Sequence, residues 1–330
     1  MGSALQIPFQ RGIRSRVRGF LCRSRAVVLT YHSVLLRPSE FSIWHHLDAA
    51  RFEEQIAYLA RHRHCVTIAQ LLSYLNAGEI PPYTTAVTFD DGFANNLTVA
   101  LPILERHQVP ATVFVTTGYI GATDLLWPER VASILELCQN KSFSARDIPI
   151  VTSDPQSKQA SYRLIANAYK QLTPELGESL LAELAAAAHV SAEQLRAHES
   201  WEQYRTMSWP EVKRLSDSPL IDLGAHTVSH TVLTRVDDAR ALHEITASKN
   251  ALDTHVGNAK YFAYPNGGRG DYTPHHRQMA IDAGFDAVFS AVNGAITTAT
   301  DRFDLPRFGV GAEASTADVD YALNGGLSTD

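Results

Sequence analysis

Short apolar runs rich in β-branched residues recur along the chain, separated by amphipathic stretches of helical period. Ala26-Val-Val-Leu-Thr-Tyr-His32, Thr84-Thr-Ala-Val-Thr-Phe89, Ala111-Thr-Val-Phe-Val-Thr116 and Leu220-Ile-Asp-Leu-Gly-Ala225 read as buried strands, because each is short, apolar and flanked by polar or Pro/Gly residues. Residues 261–264 and 287–290 continue the series. In Arg51 to Ala60, apolar residues at 52, 56, 59 and 60 make a helical stripe, and further helices are expected over 68–75, 97–107, 237–255 and 273–283. Ser208-x-x-Glu211 is a capping box that opens another. Strand and helix in alternation predict an α/β barrel of mostly parallel strands, with its active mouth at the strand C-termini.

One stretch breaks the alternation. Residues 122–205 are rich in Ala, Leu, Glu and Gln, with helical runs over 128–139, 159–171 and 175–188 and no evident ligand cluster. They read as a helical insertion that covers one barrel wall. The alternative is a lid or a docking surface for a polymer or lipid carrier, with Trp127, Trp201 and Tyr204 offering flat faces to sugar rings. The chain thus divides into a basic arm (1–25), a barrel (26–121 and 206–315), the insertion (122–205) and a C-terminal tail (316–330).

Composition narrows the class. A chain of 330 residues with 45% hydrophobic content can bury a full barrel core. A net charge of −6 and a pI near 6.2 give no reason to invoke nucleic acid. Cys22, Cys65 and Cys138 are odd in number and widely spaced, which argues for reduced thiols. The arm carries Arg11, Arg14, Arg16, Arg18, Arg23 and Arg25 without a continuous apolar segment after it, so no secretory signal is expected. No run is long and apolar enough to span a bilayer. These features suit a cytoplasmic protein whose arm is either solvated or lies peripherally on an anionic membrane surface.

The chemistry concentrates at two strand ends. Asp90 and Asp91 follow the strand 84–89, and two carboxylates at one buried mouth repel unless a cation takes one and leaves the other as a base. His226-Thr-Val-Ser-His230 follows the strand 220–225. Its i, i+4 spacing is expected to set both imidazoles on one side of a helical turn, in reach of one ion. Two His and one carboxylate leave a coordination position open for water, as in catalytic zinc sites. His32 ends the first strand on the same rim. His45, His46, His62, His64, His275 and His276 show no site-building spacing and read as loop or solvated residues, although His275 and His276 could reach the mouth.

Thr88-Phe-Asp-Asp-Gly92 and His226-Thr-Val-Ser-His230 resemble the first two motifs of the polysaccharide deacetylase family, metal-dependent carbohydrate esterases on a deformed (β/α) barrel. Phe262-Ala-Tyr-Pro-Asn-Gly267 resembles the third motif, and Leu305-Pro-Arg-Phe-Gly-Val310 the strand that closes the family's barrel. The resemblance implies Asp91, His226 and His230 as metal ligands and Asp90 as general base. It also implies that residues Tyr264, Pro265, Asn266 and Gly267 meet the substrate, with a backbone N–H near Asn266 stabilising the oxyanion. Two departures stand out. Ala263 occupies the place of a family Arg that orients the catalytic Asp, and Arg307 is the candidate substitute; no Leu-x-His motif follows near the C-terminus. Tyr31-His32 resembles the segment that supplies the general acid in bacterial poly-N-acetylglucosamine deacetylases, so a protonated His32 is expected to serve the leaving amine.

The function these features imply is removal of N-acetyl groups from an N-acetylated sugar or polysaccharide, with a divalent metal, zinc first and cobalt or nickel next. Such families often serve exopolysaccharide or surface-glycan assembly. The alternatives are a deformylase or O-acetyl esterase on a glycan or lipid-linked sugar, and a glycan-binding module that has lost catalysis.

Overall fold

The computed structural model describes residues 24–326. Its strands are β1 (Val27–Tyr31), β2 (Ser33–Leu35), β3 (His46–Asp48), β4 (His64–Cys65), β5 (Thr84–Phe89), β6 (Ala111–Val115), β7 (Ser142–Ala145), β8 (Ile148–Val151), β9 (Ile221–Ala225), β10 (Tyr261–Ala263), β11 (Ala287–Phe289) and β12 (Phe308–Gly309). The large sheet runs in the order β11-β10-β9-β6-β5-β1-β12, with β4 paired to the start of β5. Every pairing within it is parallel. The segment 305–310 curls this sheet into a half-barrel: Leu305 bridges to Phe289 of β11, and Phe308 pairs with Leu29 of β1. The fold class is the one expected, a parallel α/β half-barrel surrounded by helices.

Alternation along the strands makes two cores. Val27, Leu29, Tyr31, Val87 and Phe89 face outward onto the helices, whereas Val28, Ala86, Phe114, Ala263 and Phe289 belong to a separate inner cluster. Gly224 on β9 is required by that inner packing, since a Cβ there would lie 2.5 Å from the Phe114 ring. The helix Ala49–His62 is N-capped by Asp48 and buries Phe52, Ile56 and Leu59 against the outer faces. Each such side chain contributes about 1.5–3 kcal/mol of hydrophobic burial.

Residues 122–205 carry their own core. The helices Trp127–Leu137, Pro155–Tyr169 and Pro174–Ala188 gather Val131, Leu135, Ile165, Leu181 and Leu184, and Leu35, Phe41 and Ile43 from the β2–β3 segment join them. The insertion also contains an antiparallel hairpin, β7–β8, that the sequence pattern does not announce. Its turn residues Arg146 and Asp147 both have positive φ, a conformation usually signalled by Gly or Asn. Tyr204 is fully buried, with its hydroxyl donated to Glu136, so it is a core residue and offers no face to a sugar.

The expected tail contains a helix, Thr316–Leu323, whose Val319, Ala322 and Leu323 enter the outer core. Cys65 and Cys138 are free thiols. Cys22 and nearly all of the basic arm lie outside the described residues. Among the described residues no helix is long and apolar enough to cross a membrane.

Candidate active site

Four strand ends deliver the chemistry to one rim. β5 ends at Asp90 and Asp91, β9 at His226, β1 at His32, and β10 leads into Tyr264–Gly267. Asp91 Oδ1 lies 3.1 Å from His230 Nε2 and 3.6 Å from His226 Nε2, yet takes a well-formed hydrogen bond from neither. His226 Nδ1 is 2.8 Å from the Ala263 carbonyl, which fixes the ring and leaves Nε2 as the free ligand atom. A buried orphan carboxylate oxygen facing two imidazole nitrogens is a donor set that fits a divalent ion. The charges agree: burial raises Asp91, but His230 and its neighbours more than reverse this and hold it well below the usual carboxylate range. Burial pulls His230 down, and Asp91 more than reverses that too.

The His pair does not converge on a helix. Residues 226–232 form an irregular loop, in which Thr227 and His230 take φ of 62° and 57°. For a β-branched residue this is strained, and Asp91 at φ 76° adds to it. The buried Glu244 on the helix Asp238–Val256 holds the loop in place. Its Oε2 accepts from the Val228 and Ser229 N–H groups at 2.9 Å, and its Oε1 accepts from Ser229 Oγ at 2.7 Å and Arg240 Nε at 3.0 Å. The expected helical turn fails because these loop N–H groups are satisfied by a carboxylate rather than by carbonyls one turn back.

Arg307 is buried in the barrel interior and forks onto Asp90, with Nη1 to Oδ1 at 2.7 Å and Nη2 to Oδ2 at 2.9 Å. Its Nε donates to the Ser290 carbonyl at 2.9 Å and Nη1 also reaches Thr88 Oγ1 at 3.2 Å. The guanidinium thereby fixes the orientation of the Asp90 carboxylate. Burial raises Asp90, and the Arg307 charge, with His226 and His32, overrides it and keeps the carboxylate ionised.

His32 Nε2 lies 4.0 Å from Asp90 Oδ2, its ring is edge-on to Trp44, and its Nδ1 is buried without a partner. Burial lowers its pKa to about 4 against the pull of Asp91 and Asp90. Burial therefore works against the resting protonated His32 expected from the sequence, and a neutral ring has to receive a proton before it gives one.

The family model described as polysaccharide deacetylase matches residues 77–288. The chain belongs to the polysaccharide deacetylase family. It is 33% identical over 76 residues to the poly-beta-1,6-N-acetyl-D-glucosamine N-deacetylase of Staphylococcus aureus strain MSSA476, covering 23% of this chain and 26% of that protein. The Staphylococcus epidermidis protein of the same name is 27% identical over 114 residues, covering 31% and 39%. The chain thus spans about a quarter to two fifths of the length of these relatives. The structure of Streptococcus pyogenes deacetylase PplD in complex with acetate superposes with a TM-score of 0.60 at 16% identity, covering 91% of this chain and 99% of that one. IcaB from Ammonifex degensii gives 0.57 at 20%, covering 91% and 97%. Both likenesses are of fold.

In this family member, three of the four residues expected at the oxyanion have their N–H unavailable. Gly267 N–H donates to the Pro265 carbonyl, Tyr264 N–H donates to the Phe289 carbonyl, and Pro265 has no N–H. Asn266, at φ 58°, is the residue that lines a cleft with His230, and its buried Nδ2 has no partner. His275 is exposed beside Asp238, and His276 belongs to the capping box of the helix Pro274–Asp282; neither joins Asp91, His226 and His230.

His45 and His46 are not solvated, and the insertion is not without a ligand group. Glu129, on the helix Trp127–Leu137, is completely buried with Oε1 at 2.7 Å from His45 Nε2 and 3.4 Å from His46 Nε2. His45 packs 5.8 Å from the His32 ring. Burial lowers both histidines to about 4 and raises Glu129, so the cluster ties the insertion to the mouth through a desolvated hydrogen-bonded group.

Proposed function

We propose that the chain hydrolyses the N-acetyl group of an N-acetylated polysaccharide, a C–N bond hydrolysis other than peptide cleavage. The observation that carries this reading is the pairing of two unlike aspartates on one rim: Asp91 faces two imidazoles, while Asp90 is forked by Arg307 and faces His32. One is arranged as a ligand and the other as a base.

A divalent ion held by Asp91 Oδ1, His226 Nε2 and His230 Nε2 would supply Lewis acidity and bring a water's pKa from 15.7 to about 7; zinc suits this donor set. Asp90, kept ionised and aimed by Arg307, accepts the proton that water loses. His32 Nε2, 4.0 Å from Asp90, is placed to receive that proton and hand it to the leaving nitrogen, which cannot depart as an amide anion. This route removes the need for a protonated His32 at rest. Asn266 is the residue placed to hydrogen-bond the carbonyl oxygen as charge develops on it. The intact fork on Asp90 favours an enzyme over a binding module without catalysis.

Release of acetate and free amine from N-acetylglucosamine oligomers by the metal-loaded protein tests the reading. Formate as product, or turnover of acetyl esters alone, would replace it with a deformylase or esterase.

A further inference from the structure

A cleft of about 290 Å³ opens directly from His230 and Asn266 and runs between the barrel loop and the insertion. This volume falls just short of the roughly 300–1,000 Å³ of drug-sized small-molecule sites, which is room for one sugar residue beside the reacting one. Trp127 and Tyr169 form part of its wall, stacked at 4.3 Å and 14°.

Two cations in this wall lack a carboxylate in ion-pair contact among the described residues. Arg235 spends its donors on neutral acceptors, the Lys170 carbonyl at 3.2 Å and Gln171 Oε1 at 2.6 Å. Lys170 has no carboxylate in ion-pair contact among the described residues; burial lowers its pKa against the pull of Asp271, and it lies close enough to the mouth for its charge to depress His45. The other charges in the wall are already engaged: Glu178 pairs with Arg130, Arg240 pairs with Glu244, and exposed Glu175 lies in the first turn of its helix, where it accepts from its own N–H and the Thr173 hydroxyl. A half-buried ammonium with only the Asp271 charge, beyond ion-pair contact, to offset its burial costs free energy that an anionic ligand would recover. Lys170 and Arg235 come from the insertion and the barrel respectively, so the subsite exists because the insertion packs against the mouth.

We propose that Lys170, backed by Arg235, forms a subsite for an anionic substituent, a carboxylate or a phosphate, on the sugar residue next to the one that loses its acetyl group. The inference rests on the deacetylase reading for what the neighbouring residue is, while the anion subsite itself is read by binding alone.

Calorimetric titration of the metal-loaded full chain with cellobiouronic acid, glucose 1-phosphate and neutral cellobiose tests it. The expected result is at least one anionic sugar binding about tenfold or more tighter than cellobiose, in line with charge-assisted hydrogen bonds. That preference should be lost in Lys170→Met, kept in Lys170→Arg, and weakened by salt. The uronate and phosphate arms tell which anion fits. Equal binding of acidic and neutral sugars, or a preference that survives in Lys170→Met, overturns the proposal. Acetate release from acetylated oligomers, measured on the same samples, reports separately on the deacetylase reading.

Discussion

Replacing Arg307 with Met removes the two hydrogen bonds that fork onto Asp90 and the ones to Ser290 and Thr88, while keeping the side chain's bulk between the Phe114 and Phe289 rings. Asp90 then remains buried at 4% exposure without its main counter-charge. Breaking one partner of a buried ion pair costs about 3–5 kcal/mol, a large part of the 5–15 kcal/mol that holds a typical domain together. The sign for pH follows from the same balance. Asp90 is held below its ordinary value chiefly by Arg307 working against burial; without Arg307, burial dominates and the pKa rises. A base works only when deprotonated, so the acid limb of kcat/KM should move to higher pH in Arg307→Met. Thermal unfolding and the pH profile would be measured for Arg307→Met, Asp90→Asn and the double variant. Because an amide at 90 carries no charge to strand, the double variant should lose clearly less stability than the sum of the singles, with a coupling of about 2 kcal/mol or more. Additive losses together with an unmoved acid limb would refute the role assigned to Arg307.

Glu244→Ala strips the anchor from the loop that carries His230, and metal affinity should fall about 10- to 100-fold with the fold retained, as read by competitive chelator titration; unchanged affinity would show that the loop holds itself. Glu129→Ala leaves the neutral His45 and His46 buried without their hydrogen-bond partner and should cost about 1–3 kcal/mol in unfolding experiments. In the parent protein these two histidines have folded pKa values lowered from 6.5 to about 4, so the unfolded chain binds more protons in between, and stability should fall as pH drops from about 6.5 towards 4; a flat stability profile across that window would contradict their neutral burial. His32→Ala should lose about 10²- to 10⁴-fold in rate on amides while activated esters, whose leaving group needs no proton, are hydrolysed almost normally. Equal losses on both substrates would make His32 a packing residue.

The half-barrel was legible because its strands are short apolar runs bounded by polar residues, and the strand ends pointed to Asp90, Asp91, His226 and His32 together. Arg307 was legible by its place in the closing segment. What the pattern hid lies in long-range polar pairing. Glu129 meets His45 and His46 across 84 and 83 positions, and nothing local in the helix Trp127–Leu137 marks one glutamate as the buried one. Glu244 left a trace: it shares a buried stripe with Ala241, Ile245, Ser248 and Leu252, where a lone carboxylate asks for partners. The loop shape of 226–230 could not be told from a helical turn, since i, i+4 spacing fits both when a distant carboxylate supplies the hydrogen bonds. The hairpin Ser142–Val151 escaped because its turn uses Arg146 and Asp147 in place of glycine.

The division of labour between the two aspartates is the centre of the account, and metal content measured beside acetate release in Asp90→Asn and Asp91→Asn tests it most directly. Asp90→Asn should bind one equivalent of metal at the triad as the parent does and release no acetate from N-acetylglucosamine oligomers. Asp91→Asn should lose metal affinity and activity together. Equal metal loss in both variants, or acetate release by Asp90→Asn at the parent rate, would contradict the assignment of Asp91 as ligand and Asp90 as base.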